Sequence, residues 1–456
     1  MKRQIAVGLD VGTSSLKAAA ADVATGEIIL TYHHPYENLR FYAPGVSYAE
    51  DYVKNIIYVL NKLTEDYEIV GLSIDTHMYS VCRKVGAETV VYQWNCVWNR
   101  DREMEKAMKE HLIASGCQND TIFGAYKAAT AEKNPDEPFY AYDLKAYLFR
   151  ALVGRLATDY STAASGGFFL AKEHGWNVEF MKLAGVDYSQ LPDLLLPNEK
   201  VGMLKEGIFP GSEKVTVATG LGDGAAASYA CKHLGTFCGN LGTSMAARVF
   251  TKTPDISEEG GMWNYAVDNE YYLAGGISSN GCSVIDWAKA EYLLNDEGNL
   301  DSRNIRFFPW LHGERMPYWS SDMEGIFTGI NITDGHSNIS AAVVKGVAFT
   351  YATMVRALEK LPDCDGTLIL AGGGTKRREL VDVIAGCIDS KIMILEDADY
   401  LGAIGTVVCI MECLGREVRI NSDIAKEVAP TGKYKEEYLQ WKEMADRIAG
   451  YIHEDK

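Results

Sequence analysis

No Cys-x-x-Cys pair occurs among the ten cysteines, and no Gly-x-x-x-x-Gly-Lys-Ser/Thr sequence occurs anywhere in the 456 residues. Positive charge is scarce: 44 lysines and arginines stand against 62 aspartates and glutamates, a net charge of -18. No apolar run reaches membrane-spanning length. Each absence removes a function class. A general nucleic-acid binder or a protein of anionic membrane surfaces needs basic surface, so neither partner is expected. A nucleotide needs only a local positive pocket and stays open, but a P-loop is excluded as its phosphate site. Cys409 and Cys413 lie one helical turn apart in an apolar stretch, yet zinc or disulfide use is less simple than buried free thiols. The opening "MKRQIAVGLDVG" has no long apolar core and no small-residue cleavage site. No signal peptide is read there, and a cytoplasmic location is expected.

What is present is ordinary globular composition, with 47% apolar and 23% charged residues. The chain is too long for one ordinary core, so two domains are expected. "IAVGLDVG", "LKAAAADV" and "IILTYHH" are joined by two short turns and predict an antiparallel meander. Glu68–Thr76 predicts a buried strand, "DLKAYLFRALVGRL" a helix, and "KVTVATGLGDG" followed by "AAASYACKHL" a strand, a turn and a helix. Farther on, "EYYLAGGI", "GTLILAGGG" and "KIMILED" predict strands. Helices are predicted over about Ile339–Leu361, from about Arg377, and over "DYLGAIGTVVCIMECLG". Strands alternating with helices make the fold class α/β. One internal echo stands out: "DVGTSSLKAA" and "NLGTSMAARV" share Gly-Thr-Ser, with Gly12 and Gly242 offset by 230 residues. Either a duplicated domain or chance similarity explains it.

Three stretches are candidates for chemistry. In Asp10-Val11-Gly12-Thr13-Ser14-Ser15, a tight glycine turn can aim successive N–H groups and hydroxyls at phosphate oxygens. Asp10 can hold Mg²⁺ there, directly or through water, and Lys17 can add a cation. A plain polar hairpin is the bland reading, and the Gly242-Thr243-Ser244 copy weighs against it. Leu368–Leu380, "LILAGGGTKRREL", is a strand entering three glycines and a helix, either a packing turn or a close approach to a ligand. Gly220–Ala225 fits the Gly-x-Gly-x-x-Ala form of a dinucleotide turn. That turn needs an acid about 20 residues on to hold the ribose, and none follows before Asp255. The dinucleotide reading, and an oxidoreductase with it, therefore weakens. Asp223 remains either a helix N-cap or a general base at a strand end, and the roles are compatible.

"GLDVGTSSLKAAAAD", "TDYSTAASGGFF", "GLGDGAAASYA", "GNLGTSMAA", "GGISSNGCSVIDW", "FFPWLHGERMPYW", "EGIFTGI" and "LILAGGGTKRREL" occur in this order between about Ile5 and Gly415. The series resembles the FGGY family of carbohydrate kinases, and "GERMPYW" is similar to its xylulokinase- and gluconokinase-like branches. The resemblance implies a two-domain actin-like fold, each half built on a ribonuclease H-like core, with a deep interdomain cleft. Residues 1–233 would be the N-terminal and 234–456 the C-terminal kinase domain. It implies ATP and Mg²⁺ as cofactors and a small sugar as partner; a homodimer is left open.

Carried across by motif, the resemblance makes Asp223 the catalytic base and Asp10 the metal-associated acid. Thr13, Ser14 and Lys17 fall at the first phosphate loop, and Gly242 and Thr243 at the second. Gly281, Gly373, Gly374 and Arg378 fall at nucleotide-contact positions, where Arg378 replaces a smaller residue. Thr76, His77, Asp223 and Gly224 fall at the sugar. His77 aligns with the His of a Met-His-Gly motif that is here Thr76-His77-Met78, and "IDT" is similar to the rhamnulokinase-like branch. In "WNRDR" Arg100 stands where the family stretch has an acid. The implied function is ATP-dependent phosphorylation of a sugar hydroxyl, first a pentulose such as D-xylulose. The alternatives are a gluconate-like sugar acid, a deoxyketose or a polyol, and, from another class, a non-catalytic or chaperone-like ATP-binding protein of the actin superfamily.

Overall fold

Three apolar runs separated by short polar turns open the chain, and each becomes a strand: β1 (Arg3–Val11), β2 (Ser15–Asp22) and β3 (Ile28–Pro35). They come from a computed structural model that describes residues 2–96, 98–257, 259–292, 300, 305–395, 398–420 and 424–454. The chain forms two compact units. The first takes Met1–His233 together with two later segments, Asn264–Leu273 and Tyr400–Asn421. The second takes Leu234–Trp263, Ala274–Asp399 and Ser422–Lys456.

In the first unit the meander continues into β4 (Tyr67–Thr76), β5 (Lys200–Met203) and β6 (Thr216–Ala218). The sheet order is β5-β6-β4-β1-β2-β3. β1 pairs antiparallel with β2 and parallel with β4, and β4 pairs parallel with β6. Helices α1 (Leu144–Leu152), α2 (Tyr160–Gly166) and α3 (Asp223–Ala230) belong to this unit.

The second unit is built on β7 (Phe237–Leu241), β8 (Met245–Thr251), β9 (Tyr272–Ser278), β10 (Thr367–Ala371), β11 (Lys391–Leu395) and β12 (Ile424–Val428). These run in the order β9-β8-β7-β10-β11-β12. Position for position that order matches β3-β2-β1-β4-β6-β5, although β5 precedes β6 in the chain while β12 follows β11, and a further strand, Trp263–Ala266, pairs outside β9. Antiparallel β7/β8, parallel β7/β10 and β10/β11, and antiparallel β11/β12 match their counterparts. The Gly-Thr-Ser echo is therefore a repeated hairpin in a repeated sheet. In one turn the Gly12 N–H donates to the Ser15 carbonyl at 3.1 Å; in the other the Gly242 N–H donates to the Ser244 carbonyl at 3.0 Å.

The helices of the second unit include α4 (Cys282–Tyr292), α5 (His336–Leu358) and α6 (Arg378–Ala385). Among the described residues α5 alone is long and apolar enough to cross a membrane, and 89% of its apolar window is buried. It is the central core helix of its unit, against Phe307, Leu368 and Leu380.

The last helix to matter is α7 (Leu401–Cys413), which packs on the first unit's sheet. Side chains alternate across a strand, so Ile5, Val7 and Leu9 of β1 enter one core while Ala6, Gly8 and Asp10 face α7. The fit is tight: a Cβ added at Gly8 would lie 2.2 Å from the Ala403 carbonyl oxygen. α3 meets α7 equally closely, since a Cβ at Gly405 would lie 1.9 Å from the Ala226 carbonyl oxygen. The small residues of "GDGAAASYA" thus serve helix packing. All ten cysteines are free thiols, including Cys409 and Cys413 on α7.

Candidate active site

β1 and β4 run parallel in a register that sets Asp10 opposite Asp75, and β1 and β2 set Asp10 opposite Lys17. Gly71, Ser73 and Asp75 share one face of β4 by strand alternation, and Gly71 touches Ile410 of α7. Asp75 is therefore driven to the same end of α7 as Asp10. A Cβ added at Gly402, in the first turn of that helix, would lie 3.0 Å from Asp75 Oδ2 and 3.1 Å from Asp10 Oδ2. The two carboxylates face one point beneath a helix amino end, whose partial positive charge favours anions. Asp75 is completely buried, and neither of its oxygens has a hydrogen-bond partner. Burial and the neighbouring Asp10 and Asp223 push its carboxyl well above the usual range. Burial raises Asp10 too, and Lys17 opposes the shift. Two carboxylates so placed, with no donor on Asp75, need either a shared proton or a cation.

Thr76 and His77 follow Asp75 at the same end of β4. Thr76 forms a bridge with Gly222, the residue before Asp223, and the His77 N–H donates to the Val11 carbonyl at 3.2 Å. Both side chains are buried without hydrogen-bond partners, at Thr76 Oγ1 and at both ring nitrogens of His77. Burial, then Lys127, lowers His77 to about 4, so the ring is neutral near pH 7. The Lys127 ammonium itself donates to the Gln93 and Ile122 carbonyls at 2.8 and 2.6 Å. Tyr52 stands 6.0 Å from the His77 ring and 5.5 Å from Tyr36. The Tyr36 hydroxyl is buried without a partner, and burial is the main cause of its raised pKa.

Asp223 opens α3, but Gly222 takes the N-cap position. The Asp223 side chain accepts from the adjacent Gly224 N–H at 2.6 Å. The N-cap reading of this residue therefore gives way to a half-buried carboxylate at a strand-to-helix turn. Gly224 is the buried second residue of the same helix.

In the first unit the structure thus gathers Asp10, Lys17, Thr76, His77 and, by electrostatic contact with Asp75, Asp223. Thr13 and Ser14 form the turn between β1 and β2. In the second unit, Gly242 and Thr243 meet Gly281, where a Cβ would lie 2.6 Å from the Thr243 carbonyl oxygen and 2.8 Å from that of Gly242. The Cys282 N–H donates to the Gly242 carbonyl at 2.8 Å. Gly374 closes on the same place, with a Cβ there 2.6 Å from Cys282 Sγ. Gly373 faces open space. Arg378 does not join them: its side chain is 81% exposed and pairs with Asp382 at 3.5 Å. Arg100, the residue in place of an acid, pairs with Glu105.

The model of the FGGY N-terminal domain matches residues 140–230, and that of the C-terminal domain matches residues 239–411. The chain belongs to the FGGY family of carbohydrate kinases. It is an ATP-dependent phosphotransferase. A gluconokinase of Bacillus subtilis (strain 168) is 24% identical over 87% of this chain and 86% of its own length. A xylulose kinase of Staphylococcus xylosus is 22% identical over 85% of this chain and 86% of its own. The fold matches a crystal structure of gluconate kinase from Lactobacillus acidophilus with a TM-score of 0.87, at 20% identity over 100% of both chains. The architecture is thus the expected two-domain actin-like α/β fold.

In this FGGY kinase the "GERMPYW" stretch supports the loop before α4. Glu314 accepts from Ser278 Oγ at 3.1 Å and Asn280 Nδ2 at 3.3 Å, and Asn280 precedes Gly281. Complete burial pushes Glu314 up to about 7 against those hydrogen bonds. The folded protein therefore keeps a proton that the unfolded chain releases between the ordinary carboxyl range and about 7. The stability this contributes is full at acid pH and is lost as pH rises through that value. The melting temperature is expected to fall between about pH 4.5 and about pH 7, and Glu314→Gln to flatten that slope. A wild-type slope in the variant would assign the titration to another group.

Sequence reasoning passed over Asp75, Tyr36 and Glu314. An acid inside the apolar run "GLSIDT" was the available signal for Asp75.

Proposed function

We propose that this kinase transfers the γ-phosphoryl group of ATP to a hydroxyl of a neutral sugar, a pentulose such as D-xylulose. His77 carries the reading. It is buried, neutral near pH 7 and has two unpartnered nitrogens beside Thr76 and Asp75. Such a ring hydrogen-bonds hydroxyl or carbonyl oxygens but gives no positive charge to a sugar acid. Lys127, whose charge acts on it, is bonded to main-chain carbonyls.

Asp223 accepts the proton of the attacking hydroxyl as its oxygen bonds to the γ-phosphorus and the bond to the ADP oxygen breaks. The transition state asks little covalent help, so positioning and electrostatics supply most of the rate. Thr13, Ser14 and Lys17 in the first unit, and Gly242, Thr243, Gly281 and Gly374 in the second, offer donors and close backbone to phosphates and nucleotide. The unpartnered carboxylate of Asp75 beside Asp10 fits a hard cation, and Mg²⁺ takes one or two carboxylates with phosphate oxygens and water. When bound, Mg²⁺ neutralises charge on the β- and γ-phosphates.

The test is ADP formation with a panel of ketoses, aldoses, polyols and sugar acids. Strongest stimulation by a pentulose is expected. Gluconate as the best acceptor would overturn the neutral-sugar reading and leave the kinase standing.

A further inference from the structure

The motif "TDYSTAASGG" is tied to the turn that carries Asp223. Lys145 of α1 and Asp159, at the N-cap of α2, are both fully buried and pair at 2.6 Å. Lys145 Nζ also donates to the Leu221 carbonyl at 2.6 Å. Ser161 Oγ donates to Asp159 Oδ1 and accepts from the Gly222 N–H at 3.0 Å. The Leu221 carbonyl and the Gly222 N–H are the two polar groups of a single peptide unit. The four links therefore close a ring: Leu221 carbonyl, Lys145, Asp159, Ser161, Gly222 N–H.

A buried ion pair of this kind is weak evidence for stability, because desolvation offsets much of its attraction. Two hydrogen bonds on one peptide, one at its carbonyl and one at its N–H, do something else: they fix the rotation of that peptide plane. The next residue is Asp223, and Gly222 has no side chain with which to resist rotation. A Cβ at Gly222 would lie 2.8 Å from Met78 Cγ, so a larger residue there would have to displace that side chain.

We propose that Lys145, Asp159 and Ser161 are positioning residues that orient the Leu221–Gly222 peptide and, through it, the Asp223 carboxylate. This rests on Asp223 as the base. Removing Lys145 would strand Asp159 in the core, so the test uses Ser161, whose loss leaves the ion pair intact.

Ser161→Ala is expected to lower kcat about tenfold to a hundredfold, the scale of a misplacement near 1 Å, with KM for ATP and sugar within about twofold. Amide exchange of the segment holding Gly222 should quicken. Thr162→Val serves as control: Thr162 Oγ1 donates to the same Asp159 but touches neither group of the peptide. It is expected to leave kcat near wild type. In an Asp223→Ala background, Ser161→Ala should add no further loss, since no carboxylate is left to orient. Wild-type kcat in Ser161→Ala would overturn the proposal, as would an equal loss in Thr162→Val or an undiminished loss in the Asp223→Ala background. Failure of the base assignment reads on a different variant, as near-normal turnover by Asp223→Ala alone.

Discussion

Asp223→Ala is expected to lower kcat by about three orders of magnitude, within the range that a positioned general base contributes. ATP affinity should hold, because no phosphate-contact residue is altered. The expected loss corresponds to about 4 kcal/mol of transition-state stabilisation. Loss of fold does not supply that much. Asp223 is the first residue of α3, with Gly222 at the N-cap, and the dipole term its charge adds to the helix is roughly 0.3–1 kcal/mol. Asp223→Asn sharpens the point. It keeps the size of the side chain and an acceptor for the Gly224 N–H, but it cannot take a proton at neutral pH. The two variants should therefore be nearly equally slow, with melting temperatures close to wild type. Retention of more than about a tenth of wild-type turnover by either one would remove Asp223 from the base role.

The elements that the sequence made legible are those whose information is local. The meander from Arg3 to Pro35 follows from alternating apolar runs and two turns. Gly-Thr-Ser at Gly12 and again at Gly242 pointed to a repeat because a tight hairpin needs the same residues wherever it is used. The repeated strand order shows how far the repeat extends. Asp75 was missed because its partner is 65 residues away in sequence, on β1, and register between parallel strands leaves no local trace. α7 was read as a helix, but nothing within "DYLGAIGTVVCIMECLG" says that it packs on strands from the other end of the chain. Its Gly402 and Gly405 make sense only once Asp10, Asp75 and Ala226 lie against them. Lys145 is the instructive middle case. It stands on the apolar stripe of α1 with Leu148, Phe149 and Leu152, all buried. A lysine on such a stripe announces a buried partner, though not which one.

Asp75→Asn and Asp10→Asn are expected to weaken divalent-ion binding by about tenfold or more, since even residues that only support a metal's ligands act on that scale. The measurement is Mn²⁺ binding by electron paramagnetic resonance in the presence of nucleotide, together with the Mg²⁺ dependence of turnover. Asp10 has Lys17 across the hairpin to balance its charge, whereas Asp75 is fully buried with no partner on either oxygen. The two substitutions should therefore differ in stability. Asp75→Asn removes the proton uptake that burial and the repulsion from Asp10 and Asp223 impose on folding at neutral pH, so the variant should melt higher than wild type when no divalent ion is present. Added Mg²⁺ and ATP should then stabilise the variant less than they stabilise wild type. A side chain with a merely structural role gives no such opposition of sign: losing it lowers stability and leaves the metal dependence alone. Unchanged Mn²⁺ affinity in both variants would mean that the pair is balanced by a shared proton, and that Mg²⁺ is held without these carboxylates.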